Sequence, residues 1–418
     1  MRRIALYSHD AQGLGHMRRN IAIAQVLAGA EPSSILLIAG AREAALFSLP
    51  EGTDTLALPA LSKDLTGAYH SRSLGLDIDE IVHLRAHALS AALAAFHPDV
   101  LIVDKLPTGV EGELAQSIDL LSAMGTKLVL GLREVLDEPS RVHAEWERAG
   151  TMDVLRRRYD AVWVYGDPDV FDPVLEYDIP PDVAQLVRYS GYIDRLAADR
   201  TVEHAATRRR ELDLPDGHLS VCLVGGGEDG FRLADAFARC RLPDGSYGLI
   251  VTGPFMPECE QATLAAIASE RADLRVIPFL PDADTLIWQA DEVIAMGGYN
   301  TTCEILACGR RALIVPRVVP RREQLIRAER LDALGAIDLL HPSALSADAL
   351  SGWLAAGPRR PDRLLHPIDM NGLRRLPSML DEILSPPAPA GPGATPEEAR
   401  RRRRTLSRRA PLAGSVPA

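Results

Sequence analysis

Long apolar runs are missing from this sequence. No stretch of about 18 or more apolar residues occurs among its 418 positions, so it offers no membrane-spanning helix. Cysteine is scarce. Cys222, Cys240, Cys259, Cys303 and Cys308 form no C-x-x-C pair and have no histidine at zinc spacing. That removes a disulfide framework and a zinc ribbon, and reads as reduced, mostly buried thiols. A basic excess is lacking too. Forty-six Lys and Arg against 57 Asp and Glu give a net charge of −11, the wrong sign for a general nucleic-acid binder. Nor is there a signal peptide, because His9 and Asp10 interrupt the first apolar stretch. These absences predict a cytoplasmic chain, and peripheral contact with a membrane surface is compatible with them.

What is present is globular. Hydrophobic residues make up 47% and charged residues 25%, enough for two or three cored domains. Short apolar runs predict strands at 4–7, 34–38, 100–103, 127–130 and 161–164. Several are apolar nearly throughout, as parallel strands covered on both faces must be. Helical patterns lie between them at 17–27, 78–96, 111–124 and 140–159. The alternation then restarts, with strands at 219–224, 247–252, 274–279, 292–296 and 312–315 separated by shorter helices. Two doubly wound α/β halves account for this. The predicted partition is 1–195, 196–365, and an amphipathic helix within 366–385 that returns to the first half. From Pro386 the composition turns to Pro, Ala and Gly, followed by seven arginines between Arg400 and Arg409. Residues 386–418 are expected to be a disordered basic tail, read either as an attractor of anionic lipid or RNA or as a solvated extension.

Three glycine-rich turns carry candidate chemistry. Gly297-Gly298-Tyr299-Asn300-Thr301-Thr302-Cys303-Glu304 leads from a strand into a helix. Glycines there let backbone N–H groups approach a phosphate, and the helix N-terminus adds partial positive charge. Glu304 would face two vicinal ribose hydroxyls, as acidic residues do in dinucleotide folds. The same residues also read as a capping box with Glu304 reaching back to Thr301. Gly226 and Gly227 follow the first strand of the second half and would form a backbone concavity for phosphate. In the first half, Asp10, Gly13, Gly15 and His16 stand between a strand and a helix. His16 is the candidate base there, with Asp10 to orient or replace it. The spacing after Gly13-Leu14-Gly15 misses G-x-G-x-x-G, which disfavours a dinucleotide site. Asp167-Pro168-Asp169 mimics an acidic metal motif but reads better as a turn. Glu323 and Gln324 open a helix and offer an acceptor and donors suited to sugar hydroxyls.

Taken in order, these elements resemble the GT-B glycosyltransferases, most of all the relatives of the enzyme that adds N-acetylglucosamine to the peptidoglycan lipid intermediate. More narrowly, they resemble a bacterial group of predicted glycosyltransferases. The resemblance covers roughly residues 1–384 and is strongest at 297–304 and 320–335. It implies two Rossmann-like domains facing across a cleft. It implies transfer of a sugar from a nucleoside diphosphate, UDP foremost, to the hydroxyl of an unidentified acceptor, with no required metal and no resident cofactor. By the same resemblance Gly13, Gly15 and His16 line the cleft, Arg195 contacts the diphosphate, Gly226 and Gly227 cradle phosphate, and Phe279 flanks the nucleobase. Gly297, Gly298, Asn300, Thr301 and Glu304 hold phosphate and ribose, and Glu323 and Gln324 hold the donor sugar. A nucleotide-sugar epimerase on the same fold, and a non-catalytic nucleotide-sugar-binding protein, are the alternatives.

Overall fold

The computed structural model describes residues 1–9, 15–40, 48–63, 68–195, 209–226, 229–280, 283–357 and 367–385. Asp10, Gly13, Gly227 and the tail 386–418 lie outside the described residues.

The apolar runs of the first half become parallel strands. These are β1 (Arg2–Ser8), β2 (Ser33–Ala39), β3 (Thr53–Ala57), β6 (Val100–Asp104), β7 (Lys127–Arg133), β8 (Ala161–Tyr165) and β9 (Val187–Tyr189), in the order β3-β2-β1-β6-β7-β8-β9. A short antiparallel ribbon, β4 (Leu61–Lys63) with β5 (Tyr69–Ser71), stands beside them. The second half repeats the plan with β10 (His218–Leu223), β11 (Ser246–Val251), β12 (Leu274–Ile277), β13 (Glu292–Ala295), β14 (Arg311–Ile314) and β15 (Asp338–Leu339). Their order is β12-β11-β10-β13-β14-β15, again all parallel. β6 and β8 are buried at every position, which is why they read as unbroken apolar runs. The edge strands β3, β9 and β15 gave no such signal because they are short or half-exposed.

One expected helix divides. The pattern over 140–159 predicts a single helix, but Pro139–Arg148 and Thr151–Arg158 are separate, and Gly150 between them takes φ +59°. A left-handed residue cannot continue a right-handed helix, and glycine adopts that conformation at little cost. The helix Gly372–Leu384 packs on the helix Gly15–Ala30 of the first half. Asp381 of that helix also pairs with Arg2, at the start of β1, at 2.7 Å. The chain reaches that position through Asp167, whose two carboxylate oxygens accept from the Asp169 and Asp369 amides at 2.9 and 2.8 Å. Asp167 is thus occupied in tying two loops together, as the turn reading of 167–169 requires.

In both sheets the strand order reverses direction at the centre, between β1 and β6 and between β10 and β13. In open α/β sheets the crevice outside the carboxyl ends of such a pair is where ligands bind. The residues leaving those four strands form the two walls of the cleft described next.

Candidate functional site

The wall from the second half starts where β13 ends. Gly297 has φ +77°, and a Cβ placed there would stand 2.6 Å from Ile314 Cγ2. Gly298 is the N-cap of the Tyr299–Cys308 helix, which no side chain caps. The capping box does not form. The helix begins two residues before Thr301, and the Glu304 carboxylate instead accepts from the Arg195 guanidinium. Glu304 is buried at 7% exposure yet lines the cleft, together with Gly298, Asn300 and Thr301. Uncapped first-turn amides and the helix dipole make this end attractive to an anion.

Gly226 lines the same cavity, and its carbonyl accepts from the Phe255 amide at 2.9 Å. Phe279 and Phe255, each 37% exposed, present aromatic rings to it. Gly15 and Arg133 close it from the first half. Asn300 Nδ2 donates to the Gly15 carbonyl at 3.0 Å, which joins the two glycine turns across the halves. The enclosed volume is about 250 Å³. The acid at the phosphate loop that is described, Asp229, pairs with Arg317 at 3.5 Å.

The wall from the first half is richer in charge than the sequence suggested. His16 enters the first turn of the Gly15–Ala30 helix and bonds through Nδ1 to Asp104, the last residue of β6. Arg19 reaches both Asp104 oxygens at 2.5 and 2.7 Å. Arg133, the last residue of β7, donates to His16 Nε2 at 3.3 Å. Burial opposes the Asp104 charge, but Arg19, then His16 and Arg133, hold its carboxyl well below the usual range. Burial lowers His16 to about 4, and the Arg133 and Arg19 charges add to the fall against the pull of Asp104. His16 is therefore neutral at pH 7, with its proton on the Asp104 side. The carboxylate that orients it is Asp104, at a strand end 88 residues away.

Lys105 follows directly, with φ +69°, a conformation side-chain-bearing residues rarely adopt. Burial, then the charges of Arg321, Lys63 and Arg133, push its ammonium down to about 7. Together with His16, Arg19, Arg133, Arg321 and Glu323 it lines a second, smaller cavity of about 40 Å³ that shares Arg133 with the main cleft.

Glu323 and Gln324 sit apart from the main cleft. Gln324 lines neither cavity, and its Oε1 accepts from the Arg317 amide at 2.9 Å. Glu323 faces the second cavity, with one oxygen held by Arg317 at 2.9 Å and the other buried without a hydrogen-bond partner among the described residues. The segment around them docks on the first half. Arg321 reaches Glu145 at 2.6 Å and Asp137 at 3.2 Å, and the fully buried Arg327 bonds Glu134 at 2.6 Å.

Asp104, Lys105, Arg133, Phe255 and Arg321 were not singled out in the sequence. Asp104-Lys105 and Arg133 had a usable signal: charged residues where a buried strand ends. Arg321 and Phe255 had none: the facing of the two halves brings Arg321 to the first half, and the packing of the 253–255 turn on Gly226 brings Phe255 to the cavity.

No family model matches the chain. It is 30% identical over 155 residues to the UDP-N-acetylglucosamine–N-acetylmuramyl-(pentapeptide) pyrophosphoryl-undecaprenol N-acetylglucosamine transferase of Agrobacterium fabrum. It is 29% identical over 163 residues to the protein of the same name from Cupriavidus pinatubonensis. The matches cover 35% and 38% of this chain but only 40% and 45% of those relatives, so the chain spans less than half the length of the curated relatives it matches. Among solved structures, the UDP-GlcNAc 2-epimerase from Neisseria meningitidis bound to UDP-GlcNAc superposes with a TM-score of 0.61 at 13% identity. That match covers 92% of this chain and 99% of the other. The calicheamicin glycosyltransferase CalG4 gives 0.54 at 17%, covering 98% and 100%. The MurG of Acinetobacter baumannii gives 0.52 at 16%, covering 92% and 99%. At such identities structural likeness speaks for the fold: the chain has the GT-B architecture, and its sequence is similar over part of its length to the N-acetylglucosamine transferases named above.

Proposed function

We propose that this protein transfers a sugar from a nucleoside diphosphate, UDP foremost, to an acceptor hydroxyl. The observation that carries the reading is the placement of Glu304. It stands in the wall of a cavity opened by an uncapped helix N-terminus, opposite Gly15 and Arg133 of the other half. A diphosphate at that helix end meets the first-turn amides, which stabilise the charge that grows as the diphosphate leaves. Ribose hydroxyls donating to Glu304 take the place of Arg195, whose guanidinium is then released toward the phosphates. Phe279 and Phe255 supply aromatic faces for the nucleobase.

His16 is the base in this reading. The acceptor oxygen bonds to the anomeric carbon, the bond from that carbon to the diphosphate oxygen breaks, and the hydroxyl proton passes to His16 Nε2, where it replaces the hydrogen bond from Arg133. Asp104 keeps the Nδ1 proton in place and stabilises the imidazolium that forms, while Arg19 holds Asp104 ionised. The acceptor approaches from the second cavity, on the His16 and Glu323 side.

The test is a thermal-shift series with UDP and UDP-sugars on wild type and Glu304→Ala. A donor raises the Tm of the wild type by mass action, and Glu304→Ala weakens that effect at least tenfold. Equal stabilisation of both proteins removes Glu304 from the site and sinks the reading. The similarity of the 2-epimerase fold makes a second arm necessary. Donor incubated alone returns an altered sugar from an epimerase and an unaltered one from a transferase. His16→Ala should keep donor binding and lose transfer by about 10²–10⁴-fold.

A further inference from the structure

The second cavity carries more positive charge than its own residues neutralise. Most of the charges around it are already matched. Asp104 is taken by Arg19. Arg321 is shared by Glu145 and Asp137. Glu323 is held by Arg317. Lys63, at the end of β4, lies over the Tyr69 ring with its ammonium 4.2 Å from the centroid. Lys105 and Arg133 are left. Among the described residues, neither has a carboxylate within ion-pair distance, and the hydrogen bond of Lys105 is made by its amide, to the Gly131 carbonyl at 2.8 Å, and not by its ammonium. Arg133 Nε and the Nε and Nη1 of Arg19 are buried without partners.

Burying cations without counter-charge costs free energy unless something pairs with them. The fold spends further backbone strain to hold Lys105 there, at φ +69°. A packed structural role would have placed a carboxylate beside these groups or left an apolar side chain in their place.

We propose that this cavity is a binding site for one oxyanion group, a carboxylate or a phosphate, carried by the acceptor and held by Lys105, Arg133 and Arg321 separately from the donor's diphosphate. The assignment rests on the transferase reading for the word acceptor, but not for the site itself. Arg133 lines both cavities, so an oxyanion here places its bearer next to the donor and within reach of His16. Specificity follows: an acceptor lacking the anion leaves two buried cations unpaired and is rejected. Binding is also coupled to a proton. The groups facing Lys105 are Arg321, Lys63 and Arg133, which disfavour its charge, and Glu323, which favours it. An incoming anion favours the charged form, so the site takes up a proton as it fills.

Sulfate is a suitable probe because its charge is constant between pH 6 and 8.5. Sodium sulfate from 0.5 to 20 mM is titrated against the full chain by thermal shift, with sodium chloride matched for ionic strength, in the presence and absence of saturating UDP. The wild type should show a saturable rise in Tm at pH 6 that persists with UDP present. Its apparent affinity should be about 30-fold weaker at pH 8.5, the fraction of Lys105 still charged if its pKa is about 7. Lys105→Met should lose the saturable rise at both pH values. Lys105→Arg, which keeps the charge, should bind equally at both. An equal rise in wild type and Lys105→Met overturns the proposal, and so does no rise in the wild type at pH 6. Competition between sulfate and UDP also overturns it, by giving the cations to the donor. Failure of UDP to bind counts against the transferase reading alone, because the sulfate arm without UDP still reports.

Discussion

At the scale of residues, the site is a set of charges forced together and then sorted by burial. His16 shows the consequence most directly. In the folded chain it is held near 4, against about 6.5 when unfolded. Between those values the unfolded state binds more protons than the folded one, so stability rises with pH across this window and is lost as pH falls toward 4. His9 is also buried, lies 5.1 Å from His16 ring to ring, and is lowered in the same direction, first by burial and then by His16. We expect His16→Gln to flatten the loss of stability between pH 7.5 and 5.0 by about 2 kcal/mol, measured as urea unfolding at the two pH values. An unchanged slope would mean that His16 binds its proton equally in the folded and unfolded chain. Asp104, paired with His16 and Arg19 and ionised throughout this range, adds stability that disappears only at lower pH.

At the scale of elements, strand-to-helix turns decide where the amides point. Gly297 leaves β13 in a left-handed conformation with no room for a methyl group against Ile314. Gly297→Ala should destabilise the protein by about 1–3 kcal/mol from strain and crowding. It should also weaken UDP binding more than its loss of stability explains, because the Tyr299–Cys308 helix would be re-aimed. Chemical denaturation and UDP titration of the same variant separate the two effects. If binding is unchanged once the folded fraction is corrected for, the turn does not position a ligand. The Gly150 break shows the opposite use of glycine, where a local conformation divides what the apolar periodicity presents as one helix.

At the scale of the whole molecule, the two halves share a buried ionic seam. Glu134 and Arg327 have side chains exposed by no more than 1% and come from opposite halves. Tyr192 donates to the same carboxylate at 3.1 Å, and Arg327 lies 5.5 Å from the Tyr299 ring centroid. Removing one partner strands the other charge. Arg327→Met should therefore cost about 3–5 kcal/mol, while Glu134→Leu combined with Arg327→Met should recover most of the loss. Thermal unfolding of both variants checks this. A double variant as unstable as the single one would show that the seam is needed as an ion pair rather than as filled volume. Because this seam also backs Tyr299 at the start of the cleft helix, the same variants report whether the halves must hold this register to bind UDP.

Apolar runs buried on both faces must read as apolar throughout, so the sequence alone determined most strands of the two parallel sheets and the α/β class. Glycines at strand-to-helix turns marked where phosphate chemistry is affordable to the backbone, and that much of the cleft was legible at 297–304 and at Gly15-His16. What lay beyond reading was set by contacts distant in the chain. Asp104 meets His16 across 88 positions, Arg195 meets Glu304 across 109, and Arg327 meets Glu134 across 193. Gln324 turned inward to its own loop, and Lys105 was left facing a cavity with no carboxylate at ion-pair distance from it among the described residues. Local pattern fixes which elements form, because it depends on neighbours a few residues away. Only the tertiary fold, within the first half for His16 and Asp104 and between the halves for Glu134 and Arg327, decides which charges share a low-dielectric space, and that is where the chemistry of this cleft is settled.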